Sequence, residues 1–272
     1  MDFEKIIKTV ANTRGIFNEM RSNLSVESKG ASDYVTAVDL AVQEYIKGKL
    51  YELYPDIGFV SEEQEEHKFD GVNPVWILDP VDGTTNFIHD YDQYAVSLGL
   101  GIQNDAEFGV VYNPALDDLY YAIRGKGAYL NNKRMHVSNA EKLEESLVLF
   151  GSAPYYKERS GEVFDIAREF FLSCQDLRRS GSAALDIAAV ASGKIDIYFE
   201  YNLKPWDYAA GMALIREAGG KMTNWEGSHA GLTKLTAVIV TNGKVHDMAL
   251  GIVKDSALKT DTAGNSLDYS RV

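Results

Sequence analysis

The chain has 272 residues, 45% of them hydrophobic, enough to bury a large core in one or two domains. Its 40 acidic residues against 27 basic ones leave a formal charge of −13, which argues against a nucleic-acid surface or an anionic membrane as partner. A single cysteine, Cys174, excludes a disulfide framework and a thiolate metal site, and no run approaches membrane-spanning length, so the expected compartment is the reducing cytoplasm.

Phe3, Ile6, Ile7, Val10, Phe17 and Met20 follow helical spacing, which predicts one amphipathic helix over residues 2–22. The short polar stretch 28–36 reads as a loop or hairpin. A second helix follows, with Val42, Ile46, Leu50 and Leu53 as its apolar stripe and Asp39 at its entrance. Taken alone, Asp39 reads as a helix-start Asp favoured by the helix dipole. Ile57–Val60 reads as a short strand running into an acidic stretch. Glu63, Glu65 and Glu66 read there as a solvated loop, but Glu62 stands at the strand end itself.

Val75-Trp76-Ile77-Leu78 is an unbroken apolar run and predicts a buried strand that carries Asp79 to a sheet edge. Pro80 cannot donate to a ladder, so the chain is expected to leave the sheet there and bring Asp82 about one turn from Asp79. Gly83-Thr84-Thr85 then opens a short helix or turn whose backbone N–H groups suit an anion. Two carboxylates about 4 Å apart repel by roughly 4 kcal/mol at an effective dielectric near 20, so such a pair calls for a cation or a shared proton. Mg2+ meets that need with oxygen ligands and commonly takes phosphate as well. Read without the rest of the chain, both acids also pass as turn residues.

Residues 94–102, 106–112 and 118–123 read as an antiparallel meander. Beyond it come a strand at 147–151, a helix at 160–173, and a loop from Arg178 into a small-residue helix. A strand at 195–200, a helix from Tyr208 to Ala218, a strand at 235–240 and a helix at 245–253 complete the pattern. Asp207, before its helix, reads on its own as an N-cap. The pattern is mixed α+β in the α/β class, one domain over 1–258 with an α+β part to about residue 140 and an α/β part from about 141; residues 259–272 read as a frayed tail.

Trp76-Ile77-Leu78-Asp79-Pro80-Val81-Asp82-Gly83-Thr84-Thr85-Asn86-Phe87, with Glu62-Glu63 upstream and Trp206-Asp207-Tyr208-Ala209-Ala210-Gly211 through Gly220 downstream, resembles the inositol monophosphatase family of Mg2+-dependent, lithium-sensitive phosphomonoesterases. The resemblance implies a layered αβαβα sandwich of the inositol monophosphatase and fructose-1,6-bisphosphatase type, and a homodimer. It implies Glu62, Asp79, the Val81 carbonyl, Asp82 and Asp207 as metal ligands, with about two to three Mg2+ ions bound and Li+ as inhibitor. Thr84 and Asp39 match the family's pair that orients the attacking water, with Glu62 beside them in the catalytic set. Gly83 and Thr84 match the phosphate-holding amides. Gly181-Ser182-Ala183, Glu200 and Asp207 match the pocket for the alcohol; Ser152 is a further candidate there, and Lys29 stays outside the set because its spacing to Asp39 is uneven.

The implied reaction is water attack on a small phosphomonoester without a covalent intermediate, with inositol monophosphate ahead of NADP, fructose 1,6-bisphosphate and adenosine 3',5'-bisphosphate. Two rivals remain open in the sequence. A haloacid-dehalogenase-type phosphatase carries Asp-x-Asp-Gly-Thr, which Asp79–Thr84 imitates with one residue too many. A catalytically silent metal-dependent binding protein is the other, against which stand the filled catalytic positions.

Overall fold

The computed structural model describes residues 1–21, 26–30, 33–64 and 69–262. The readings of Glu65 and Glu66, the side chain of Lys29 and the last ten residues lie outside that description.

Where the sequence predicts one N-terminal helix there are two, α1 (Phe3–Ala11) and α2 (Arg14–Met20). The break has a local cause: the Thr13 hydroxyl donates to the Val10 carbonyl at 2.7 Å, and the Gly15 N–H turns to Asn12. Ile6, Val10 and Phe17 still face one core. A hairpin of β1 (Val26–Gly30) and β2 (Asp33–Thr36) leads into α3 (Ala37–Leu53), whose start is fixed by a reciprocal cap between Thr36 and Asp39.

A seven-stranded sheet follows in the order β3 (Gly58–Ser61), β4 (Val75–Asp82), β5 (Ala95–Ile102), β6 (Asp105–Asn113), β7 (Asp118–Ile123), β8 (Gly127–Leu130) and β9 (Lys133–Met135). Only the β3–β4 pair is parallel. Pro80 does not end β4 as expected. The ladder with β5 slips between Asp79, opposite Ser97, and Asp82, opposite Ala95, so the proline sits in a bulge and the strand resumes. The short helix α4 (Thr84–Ile88) comes directly after it.

Strand periodicity sorts the residues into layers. Trp76, Leu78, Val96, Leu98, Phe108 and Val110 pack against α1–α3, while Val75, Ile77, Ala95 and Val111 face a central helical layer. That layer is made of α6 (Ala183–Ala191) and α7 (Pro205–Ala218). On its far side lies a second sheet in the order β11 (Asp176–Arg178), β10 (Leu147–Phe150), β12 (Ile197–Leu203), β14 (Thr236–Thr241) and β13 (Lys221–Asn224). Tyr198 and Val240 point inward to α6 and α7; Val148, Ile197, Phe199 and Ile239 point outward to α5 (Ser160–Ser173) and α8 (His246–Thr262). The result is the αβαβα sandwich. β11 and β13, of three and four residues, have no sequence signal of their own. α8 extends past the expected end to Thr262, so the first residues of the expected tail are helical. Cys174 is half-buried at the rim of the outer cluster.

Candidate active site

The side-chain period that buries Val75 and Ile77 against the central layer sends Asp79 the same way. Its Oδ1 accepts the Val81 N–H at 3.0 Å, which closes the turn around Pro80 and brings Asp82 back to the same end of the strand. Glu62 lies one residue beyond the Ser61–Leu78 parallel pair, and its N–H bonds the Leu78 carbonyl at 3.1 Å, so it emerges beside Asp79. Asp207 arrives from α7. That helix lies almost on the sheet, because a Cβ at Gly109 would stand 2.2 Å from the Ala210 carbonyl oxygen and one at Gly99 2.9 Å from Ala209. The first turn of α7 is thereby pressed to the end of β4 and β5, where the Ser97 hydroxyl donates to the Trp206 carbonyl at 3.3 Å. α7 starts at Pro205, so Asp207 is its third residue and not an N-cap; its Oδ2 accepts the Lys204 N–H at 2.7 Å.

These acids perturb one another. Burial raises the Asp79 carboxyl well above the usual range, and the charges of Glu62, Asp82, Asp207 and Asp39 raise it further. Burial, Glu62 and Asp82 do the same to Asp207, against one lowering bond from Lys204. Asp82 is pushed up to about 6 by burial, offset by the Ser182 hydroxyl and the N–H groups of Ala184 and Ala183. As the side chains stand, no three His, Cys, Asp or Glu groups among the described residues meet at one ion-sized point. The donor set is nevertheless what a hard divalent cation takes: carboxylate oxygens and a carbonyl, packed where their own repulsion is the cost of leaving them unneutralised.

A cavity of about 800 Å³ opens over this group. It is lined by Glu62, Asp79, Val81, Asp82, Gly83, Thr84, Gly181, Ser182, Ala183, Glu200 and Asp207, the sequence candidates brought together from both halves of the chain. Asp39 does not line it. It is fully buried behind the wall, where Oδ2 accepts the Thr36 N–H at 2.8 Å and the Thr36 hydroxyl at 2.5 Å, and Oδ1 has no hydrogen-bond partner. Burial pushes its carboxyl up to about 7. The expected Thr84–Asp39 pair is not made: the Thr84 hydroxyl donates to the Val81 carbonyl at 2.9 Å. A carbonyl has a second lone pair, so Val81 keeps its capacity as a ligand.

Ser182 and Ala183, expected only as pocket lining, also bind Asp82 through the Ser182 hydroxyl and the Ala183 N–H at 3.3 Å. Glu200 shares a face of β12 with Tyr198, whose hydroxyl donates to it at 2.5 Å; the Ala153 N–H donates at 3.3 Å. Gly151 makes room for it, since a Cβ there would lie 1.8 Å from the Glu200 Cδ. Ser152 does not line the cavity but accepts from Arg179 at 3.1 Å. Sequence reasoning missed Gly151, Asn86 and Asp186. A glycine after a buried strand and an acid inside an Ala-rich helix were the available signals.

A hydrolytic pocket at the strand and helix ends of an αβαβα sandwich, with clustered acids facing a binding wall, is the arrangement of a phosphomonoesterase. The chain belongs to the inositol monophosphatase family, whose model matches residues 4–257. It is 42% identical over 212 residues to the inositol-1-monophosphatase of Rhizobium meliloti, covering 78% of this chain and 79% of that one. It is 40% identical over 206 residues to the Nus factor SuhB of Salmonella typhimurium, 76% and 77% of the two chains. The crystal structure of the extragenic suppressor protein suhB from Bartonella henselae superposes with a TM-score of 0.87 at 33% identity, covering 93% of this chain and 99% of that one. Two further neighbours carry ligands. An IMPase/NADP phosphatase, at TM-score 0.80 and 27% identity over 89% and 90% of the chains, is complexed with Mg2+ and phosphate. Staphylococcal inositol monophosphatase-1, at 0.81 and 26% over 89% of each, is a LiCl-soaked inhibitory complex. Among the described residues no helix is long and apolar enough to cross a membrane.

Proposed function

We propose that the protein hydrolyses a small phosphomonoester with Mg2+, inositol monophosphate ahead of the other candidates. The observation that carries this reading is the convergence of Glu62, Asp79, Asp82, Asp207 and Glu200 on one cavity, where burial raises the carboxyls of Asp79, Asp82 and Asp207. Glu62, Asp79, Asp82, Asp207 and the Val81 carbonyl are the ligands. Bound there, Mg2+ supplies charge neutralisation for the phosphoryl oxygens and a water of lowered pKa. Gly83 and Thr84 present their amides to the phosphate, and Glu200, held by Tyr198, accepts from the alcohol hydroxyls. Thr84 and Asp39 would align the attacking water once the Thr84 hydroxyl turns from the Val81 carbonyl, the water's proton passing through that hydroxyl to the buried Asp39 while the P–O bond to the alcohol breaks and the alcohol oxygen leaves with a proton from solvent. Li+ inhibition, a homodimer and a cytoplasmic location complete the reading by likeness to the family.

The relatives named Nus factor SuhB raise a second role, that of a Nus factor. The charge of −13 disfavours a direct grip on a polyanion. Phosphate release from inositol monophosphate, NADP, fructose 1,6-bisphosphate and adenosine 3',5'-bisphosphate, with Mg2+ and then with added Li+, tests the proposal. The highest kcat/KM is expected on inositol monophosphate, and absence of Mg2+-dependent release from every member would overturn it.

A further inference from the structure

Asp186 lines the cavity and is almost wholly buried, at 3% exposure, yet nothing in the reaction above uses it. Its Oδ1 accepts the Ser180 hydroxyl, and the Ser180 Oγ in turn accepts the Ser182 N–H at 3.3 Å. The Ser180 carbonyl accepts the Asn86 amide at 3.0 Å, and that amide also donates to the Gln93 carbonyl at 2.6 Å. The turn 180–182, with Gly181 at φ +95°, is thus tied at its entry to α6 and to the α4 segment. At its exit it offers three donors to Asp82: the Ser182 hydroxyl and the N–H groups of Ala183 at 3.3 Å and Ala184 at 2.9 Å. Two of them converge on Oδ2. Oδ1 receives only the long one and is the oxygen left for a cation.

We infer that Asp186 is a positioning residue for Mg2+ binding: by fixing Ser180 it holds the turn whose donors aim the Asp82 carboxylate. The inference rests on reading Asp82 as a ligand. Its opposite is that Asp186 and Ser180 serve only to pack the start of α6. The two differ in what the conservative variant does. Asp186→Asn keeps an Oδ1 acceptor for Ser180 and is nearly the same size. Asp186→Ala removes the acceptor, and Ser180→Ala removes the same bond from the other side with little change in volume.

The test is Mn2+ binding followed by electron paramagnetic resonance on the purified full chain, with thermal melting of each variant in parallel. Asp186→Ala and Ser180→Ala should each weaken Mn2+ by about 10- to 100-fold, the range typical of groups that orient a ligand. Asp186→Asn should stay within about 3-fold of the parent, and the Asp186→Ala/Ser180→Ala pair should lose no more than either alone. Should Asp186→Ala fail to fold, Ser180→Ala carries the test. Parent-like Mn2+ affinity in Ser180→Ala, or an Asn variant as weak as the Ala one, overturns the inference. Asp82→Asn separates the two levels. If it weakens Mn2+ while the Ser180 and Asp186 variants do not, only the positioning role fails; if it leaves Mn2+ untouched, the ligand reading itself has failed.

Discussion

Replacing Asp79 by Asn should destroy the activity and yet raise the stability of the metal-free protein. The Asn side chain keeps the Oδ1 that accepts the Val81 N–H, so the turn around Pro80 survives. What it removes is a charge. Asp82 sets the scale: its carboxyl rises from 3.8 to about 6, roughly 3 kcal/mol of unfavourable free energy at neutral pH. Asp79 is raised well above its ordinary value by burial, with Glu62, Asp82, Asp207 and Asp39 all adding to it, so its relief has the same sign. The sign follows from the direction of the shift. An Asp whose folded pKa lies above its unfolded one destabilises the fold increasingly as pH rises from the unfolded value towards the folded one, so the gain grows with pH above about 4. A relief of the size of Asp82's would correspond, in a chain of this size, to a rise in Tm of about 5–10 °C in EDTA. Mg2+ narrows the gap, since ligand at 100 times its Kd stabilises the parent alone by about 2.7 kcal/mol. Differential scanning calorimetry with EDTA and with Mg2+, alongside phosphate release, measures both effects. A variant that melts below the parent in EDTA, or that keeps more than about one-thousandth of the Mg2+-dependent kcat, refutes the reasoning.

Three more predictions use the same geometry. Gly151→Ala places a Cβ inside the space of the Glu200 carboxyl, so KM for the preferred substrate should rise about tenfold or more while kcat changes less, as steady-state kinetics will show. The increment in Tm given by Mg2+ should be small at pH 5 and grow as pH rises through about 6, because Asp82 is protonated below that value and charged above it; a flat increment from pH 5 to 8 contradicts the assignment. His246 is fully buried between the hydroxyls of Thr223 at 3.1 Å and Thr241 at 3.0 Å, and burial pushes it down to about 4, so it stays neutral. His246→Ala should cost about 2–4 kcal/mol by removing one hydrogen bond from each of those hydroxyls and leaving a void between β13, β14 and α8, with phosphatase activity of the folded fraction unchanged; urea titration reads the loss.

The parts of the site that the sequence discloses are those whose geometry is local. Asp79 and Asp82 are separated by a proline and followed by a glycine, so their approach is written in adjacent residues. Glu62 is marked by its place at a strand end and Asp207 by resemblance alone, and the physical reason for their arrival is tertiary: a parallel strand register for one, and for the other two glycines that let α7 lie on the sheet. Thr84 and Asp39 show the limit. Their pairing depends on hydroxyl orientation, and in this structure each finds a nearer partner, Val81 and Thr36. Asp186 was invisible for a related reason: Ala183–Ala191 reads as a packing helix, and an acid within it acquires meaning only when Ser180 and Asp82 are seen around it. The break between α1 and α2 was missed because apolar spacing continued across Asn12-Thr13 while the hydrogen bonds did not.

The central claim is that separate acidic side chains gather to hold divalent cations against a phosphate. A crystal soaked with Mn2+ and inorganic phosphate, measured at the manganese absorption edge, tests it most directly. The account predicts anomalous peaks bonded to carboxylate oxygens of Glu62, Asp79, Asp82 and Asp207, with phosphate beside Gly83 and Thr84. Peaks bound elsewhere, in a protein that still releases phosphate with Mn2+, would contradict it.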